Sequence, residues 1–211
     1  MQPIDQDARL MLSFREGDRD ALSKLYEKWA APLLRYLERI VKNPATAEEL
    51  LQDTFIRVHG ARDRYSPDAA FSTWLFRIGR NLALNELDRA RNRNPHFTAD
   101  SPSDGDRRSG DGSDRKSNVV ALVSPLPAQD EVADARREKA KMEAALGEIP
   151  ERQRSALWLA VVEGHSYAEV ADILETSTAS VKSLVHRARA QLVERMQTEA
   201  EAAAANTEVG R

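Results

Sequence analysis

The residues with the plainest chemical capacity lie in one stretch near the C-terminus, SYAEVADILETSTASVKSLVHRARAQLVERM, from Ser166 to Met196. Two helices joined by a tight turn fit it. Ser166 reads as an N-cap, with Glu169 three residues on as its capping-box partner. Val170, Ala171 and Leu174 give the first helix an apolar face, and Glu175, Thr176 and Ser177 interrupt the pattern. Val181, Leu184, Val185, Ala188 and Leu192 then recur at helical spacing and form the expected buried stripe of the second helix. Its other face carries Thr178, Ser180, Lys182, Ser183, His186, Arg187 and Arg189. Hydroxyls, an imidazole and cations on one helical face suit a recognition helix lying in the major groove of DNA. Arg187 has the planar fork to read guanine bidentately, for about 1–3 kcal/mol of discrimination. Arg189 and Arg195 suit phosphates or solvent. A two-helix hairpin with a solvated basic face gives the same local pattern, so the decision passes to the rest of the chain.

Other chemistry is scarce. The 211 residues include four His and no Cys. That rules out disulfides, thiolate zinc sites and thiol catalysis, and it fits the cytoplasm. No Gly-rich phosphate loop and no HExxH is present. We expect no enzyme activity, no metal and no cofactor. No apolar run is long enough to span a bilayer and no secretory signal opens the chain, so no membrane insertion is expected. The formal net charge is -3. DNA contacts must therefore come from local basic patches, leaving acidic surface for other partners.

The elements that position these residues are helical throughout, which predicts an all-α fold of two small helical domains joined by a flexible linker. Residues 1–94 form the first domain. Its first long helix, from about Arg19 to Val41, is expected to bury Leu22, Leu25, Tyr26, Trp29, Leu33 and Leu37. The next, from about Ala45 to Ala61, carries a stripe of Ala47, Leu50, Leu51, Thr54, Phe55 and Val58. Glu48, Glu49, Gln52, Asp53 and Arg57 occupy its other face. After a turn at Ser66-Pro67-Asp68, a third long helix starts at Phe71 with Ser72 or Thr73 near its cap. It is expected to bury Phe71, Trp74, Leu75, Ile78 and Leu82 and to show Arg77, Arg80, Asn81, Asn85, Arg89 and Arg91 outward. Residues 95–131, rich in Ser, Asp, Gly and Pro, read as the linker. Residues 132–197 resume with a charged helix at Ala135 to Leu146 and another at Arg152 to Glu163. The latter points Leu157 and Val161 inward and ends at Gly164. Residues 198–211 read as a frayed tail.

Taken together, ATAEELLQDTFIRVH (Ala45 to His59), FSTWLFRIGRNLALNELDR (Phe71 to Arg89), LGEIPERQRSALWLAVVEGHSYAEVADIL (Leu146 to Leu174) and SVKSLVHRARAQL (Ser180 to Leu192) resemble the extracytoplasmic-function sigma factors. These are promoter-recognition subunits of bacterial RNA polymerase, within the sigma-70 family. The chain departs from the family where Gly is usual at Ala179 and often near Glu175, and where many relatives carry Arg in place of Leu184.

The resemblance implies RNA polymerase core enzyme and promoter DNA as partners, with an anti-sigma protein as a third. It implies that Glu48, Glu49, Gln52 and Asp53 dock on the core enzyme, where carboxylates facing basic residues give steering and register more than raw affinity. It makes the third long helix the reader of the minus-ten element, with Tyr65, Trp74, Arg77, Arg80, Asn81 and Asn85 meeting melted DNA. An Asn amide both donates to and accepts from a base edge, and Arg holds phosphates and stacks on bases. Core packing is the competing reading for Trp74. The resemblance gives the minus-thirty-five element to Ser180, Lys182, Ser183, His186, Arg187 and Arg189, with Gln153 and Arg154 touching backbone phosphate. A free-standing helix-turn-helix regulator would explain residues 132–196 but not the acidic helix or FSTWLFRIGRN.

Overall fold

A computed structural model describes residues 5–93 and 141–209, with side chains through Thr198, and all the regular structure among them is helical. The first domain comprises α1 (Gln6–Arg15), α2 (Arg19–Val41), α3 (Pro44–Gly60), a 3-10 turn at Arg62–Arg64, and α4 (Phe71–Arg93). The second comprises α5 (141–148), α6 (Glu151–Val161), α7 (Tyr167–Leu174) and α8 (Thr178–Val209). The expected linker, 95–131, lies outside the described residues.

The helix starts are set by short polar side chains that satisfy otherwise orphaned N–H groups. Asn43 accepts from the Thr46 N–H at 3.1 Å, and Pro44 follows it at the head of α3. Asp5 caps α1, and its second carboxylate oxygen accepts from the Phe71 N–H at 3.2 Å. One aspartate thus ties the start of the chain to the start of α4, a job the sequence assigns to Ser72 or Thr73. Asp7 is buried and takes Lys28 Nζ at 2.6 Å and Trp29 Nε1 at 3.0 Å, which fastens α1 to α2.

The stripe of α3 is buried as expected, all six residues of it, and Glu48, Glu49, Gln52 and Asp53 are exposed. On α2, Leu25, Leu33 and Leu37 are fully buried, but Tyr26 is 44% exposed and sets its ring edge against Phe55. The fully buried aromatic of α2 is Tyr36 instead. Around the core, α4 packs on both α2 and α3. Gly79 permits this. A Cβ there would meet Leu33 Cδ1 at 2.9 Å, Thr54 Oγ1 at 3.5 Å and Leu37 Cδ2 at 3.6 Å.

In the second domain the capping box of Ser166 and Glu169 is complete in both directions. Val170, Ala171, Leu174, Val181, Val185 and Ala188 are buried as expected. Three expectations are corrected. Val161 is 55% exposed, because it sits at the last turn of α6 beyond the crossing with its neighbours. Leu184 and Leu192 are half-buried at the edges of the stripe. The tail expected to fray is helical through Val209, since its Ala- and Glu-rich sequence has high helix propensity. At the inter-helix turn Glu175 adopts a left-handed φ of 50°. A non-glycine residue therefore occupies the conformation that glycine usually supplies.

The two domains touch. Their contacts run from α4 to α7 and from α2 to α6. In the close crossing at Gly79, Gly79→Val should overpack the core and destabilise the chain by about 1–3 kcal/mol, read as a shift in the denaturation midpoint. A midpoint unchanged or raised would mean that α4 does not approach α2 and α3 this closely.

Candidate nucleic-acid and polymerase interfaces

The face of α3 away from the core is the first site. Glu48, Glu49, Gln52 and Asp53 all project to solvent. Ile56, one turn further on, is 67% exposed, the largest value among the exposed large apolar side chains described. Residues 49, 52, 53 and 56 share one helical face. An apolar side chain beside three acidic or amide groups makes that face amphipathic, which the sequence reading of acidic residues alone overlooked.

The second site is a groove of about 380 Å³ between the end of α3 and α4. It is lined by Trp74, Ile78, Asn81, Leu82 and Asn85 from α4, with Arg57 and Arg64 contributed from the other side. Asn81 and Asn85 therefore share a face with Trp74 and Ile78, rather than lying opposite the apolar stripe as the sequence suggests. Trp74 is half-buried and stands on Tyr65, ring centroids 5.0 Å apart, with Phe71 at 6.0 Å. Tyr65 itself is buried beneath Trp74, behind the groove wall. Burial pushes its hydroxyl up to about 12, reinforced by Asp5, Asp7 and Asp68. Helical spacing puts Arg57 on the polar face of α3 and says nothing of Arg64; the fold turns both toward α4.

Arg77 and Arg80 are not in this groove. Arg77 is half-buried, and Arg80, expected on the outward face, is 5% exposed. Its Nη2 lies 3.4 Å from Glu151 Oε2 at the start of α6. Helical periodicity places Arg80 off the core stripe of its own domain correctly, but the second domain covers that face. Beside it, Phe76 meets the His165 ring edge-on at 5.2 Å, and the Arg39 guanidinium lies 3.7 Å over the Trp158 ring.

The third site is the exposed side of α8. Ser180, Lys182, Ser183, His186, Arg187 and Arg189 are all exposed. Ser177 starts the helix by accepting from the Ser180 N–H at 3.2 Å. Ser180, Ser183, Leu184 and Arg187 line one cleft with Thr176, Ala179 and Arg152 of α6. Lys182, Ser183, His186 and Arg187 line a second. Arg154 is buried and donates to the Ile149 carbonyl at 2.9 Å, so it is structural. Gln153 is half-buried, and its Oε1 is wholly enclosed. The cation of α6 that faces the recognition helix is Arg152, the residue just before Gln153.

Comparison with known proteins gives the family. Residues 25–93 match the sigma-70 region 2 model and residues 139–192 match the sigma-70 region 4 model. The RNA polymerase sigma-H factor of Pseudomonas aeruginosa is 30% identical over 88% of this chain and 91% of its own length. The chain belongs to the extracytoplasmic-function branch of the RNA polymerase sigma-70 family. The sigma factor CnrH of Cupriavidus metallidurans is 31% identical over 91% of this chain and 95% of its own length. The solved structure of CnrH with the cytosolic domain of CnrY superposes with a TM-score of 0.64, covering 92% of this chain and 99% of that one. The fold is shared by RpoE of Bartonella quintana, solved with the anti-sigma factor NepR, at a TM-score of 0.60 over 83% of this chain and 96% of that one. Members of this family are transcription initiation factors. Among the described residues, no helix is long and apolar enough to cross a membrane.

His165, buried against Phe76 where the domains meet, makes the stability of the chain testable against pH. It is buried, its Nε2 completes no hydrogen bond, and burial lowers its pKa against an opposing pull from Glu169. The folded chain therefore holds it neutral. Its packing is fully retained above the ordinary histidine value of about 6.5 and erodes as pH falls below it, where the unfolded chain takes up a proton more readily. Chemical denaturation at pH 7.5 and 5.5 should show the wild type losing more stability than His165→Gln on acidification. Equal losses would mean that His165 contributes nothing to the pH dependence.

Proposed function

We propose that this sigma factor directs core polymerase to promoters by reading two DNA elements with separate faces while a third face docks on the enzyme. The observation that carries the reading is the separation of chemistries on one chain. An acidic face, an Asn- and Arg-lined aromatic groove and a basic helix remain accessible at three different places.

The basic face of α8 enters the major groove of the minus-thirty-five element. Arg187 reads a base edge, and Arg152 and Arg189 hold phosphate. The groove beside α4 takes bases of the minus-ten element once they leave the stack. Unstacking costs a few kcal/mol per base, and a lined pocket offsets that cost. Trp74 offers an aromatic face, Asn81 and Asn85 offer amides able to donate and accept, and Arg57 and Arg64 face the backbone. Two solved relatives are bound to CnrY and to an anti-sigma factor, NepR. By that likeness an anti-sigma protein is a partner of this chain too. The protein acts with polymerase in the cytoplasm and has no catalytic role of its own.

The α3 face supplies the test. Glu49→Lys with Asp53→Lys should weaken binding to core polymerase at low salt by roughly ten-fold or more, since like charges then oppose across the interface. The fold should survive, because both side chains are exposed. Unchanged core affinity in a folded double variant would remove α3 from the docking surface.

A further inference from the structure

Arg187 stands between two clefts of unlike chemistry. On one side it lines a cleft of about 400 Å³ with Lys182, Ser183 and His186, and every one of these side chains is polar. On the other side, toward the inter-helix turn, it lines a cleft of about 390 Å³ that includes two purely aliphatic side chains, Ala179 and Leu184. Ala179 is exposed, and Leu184 is half-buried, so the part of Leu184 not packed in the core opens into this cleft. Both are positions at which the chain departs from its family, so the wall they make belongs to this chain in particular. The polar groups that frame it are held in place. Ser177 donates its hydroxyl to Ser180 Oγ at 3.0 Å, Arg187 donates Nε to the Ser183 carbonyl at 3.4 Å, and Arg152 donates Nη2 to the Leu174 carbonyl at 3.5 Å.

Base edges in the major groove differ in what they can offer such a wall. Guanine, adenine and cytosine present only nitrogen and oxygen there, while thymine adds a carbon, its 5-methyl group. A polar edge pressed against Leu184 gives up water and gains no partner, which is costly. A methyl group against the same side chain buries carbon on carbon. Removing one such carbon from water changes an affinity by about four-fold. Spacing fixes where the carbon must lie. Leu184 and Arg187 are three apart on α8, so their Cβ atoms are about 5–6 Å apart. Successive base pairs are about 3.4 Å apart. The two side chains therefore reach bases no more than about two steps from each other.

We propose that Leu184 and Ala179 form a thymine-selecting wall in the upstream-element site, taking up the 5-methyl group of a thymine about two base pairs or less from the base edge read by Arg187. The inference rests on the promoter-reading function above and names one base within that element. Selection here is by carbon and not by a hydrogen bond. The all-polar cleft on the other side of Arg187 has no aliphatic side chain to select a methyl group in this way.

The test uses holoenzyme reconstituted from core polymerase and the full chain, on duplex promoter fragments that this holoenzyme enriches from a pool with a randomised upstream element. Each thymidine of the enriched element, on either strand, is replaced in turn by deoxyuridine, which lacks only the 5-methyl group. One replacement should weaken binding about three- to five-fold. It should fall within about two base pairs of the position whose discrimination Arg187→Ala loses. In Leu184→Ala the same replacement should change binding by less than about 1.5-fold, while Leu184→Met, which keeps an apolar side chain of similar volume, should retain the full effect. Each comparison is a ratio between two DNAs on one protein, so a loss of stability in Leu184→Ala cancels. An element without a thymine at such a position, a scan in which no deoxyuridine is felt, or a thymine preference that survives in Leu184→Ala overturns the wall and leaves Leu184 to packing alone. In those cases an element that still responds to base-pair changes leaves promoter reading by α8 intact. A holoenzyme that enriches no upstream element counts against promoter reading itself, and the wall falls with it.

Discussion

Helix α4 is asked to satisfy three neighbours at once, and the rest of the structure is arranged around that demand. One face closes on α2 and α3 at the distance Gly79 allows, with Phe71 and Leu75 fully buried. A second face, with Trp74, Asn81 and Asn85, stays open as a groove. The third, with Phe76 and Arg80, is covered by the C-terminal domain. A buried guanidinium tolerates such cover only with a carboxylate opposite it, because an unpaired charge would cost several kcal/mol. Glu151 is that carboxylate. Placing it at the first turn of α6 also favours the positive end of that helix's dipole. The same residue thus begins α6 and anchors the domain to its partner.

Charge is distributed with the same economy. A net charge of -3 would repel DNA if it were spread evenly. Instead, carboxylates concentrate on α3, while the exposed side of α8 carries Lys182, Arg187 and Arg189, and the two clefts that Arg187 lines hold no acidic residue. The arginines of the last turns of α4 are partly neutralised locally, Arg89 by Glu86 and Arg91 by Asp88. Such exposed pairs contribute little to stability.

Much of this was legible in the residues, for identifiable reasons. The α3 stripe and the capping box at Ser166 are local patterns, fixed by spacings of three and four, and both appear as read. What spacing cannot carry is which faces meet from distant parts of the chain. Arg80 sits off its own domain's apolar stripe, so periodicity sends it to solvent. The docking of the C-terminal domain covers it, with Glu151 as its partner. Tyr36 escaped notice for the same reason, since its hydroxyl end lies under the second domain. Arg152 and Arg154 are two residues apart and point to different sides of α6. Nothing in QR against ER says which one faces α8 and which turns inward to the Ile149 carbonyl. The resemblance to sigma factors supplied roles for Asn81 and Asn85, and the fold added Arg57 and Arg64 to their groove.

The central claim is that the groove beside α4 holds bases taken out of the duplex. Initiation by reconstituted holoenzyme tests it most directly, on a fully duplex promoter and on one already mismatched across the minus-ten element. With Asn81→Ala, formation of the open complex should fall on the duplex template and recover in part on the pre-melted one, with core binding intact. Normal initiation by Asn81→Ala on fully duplex DNA would contradict the account.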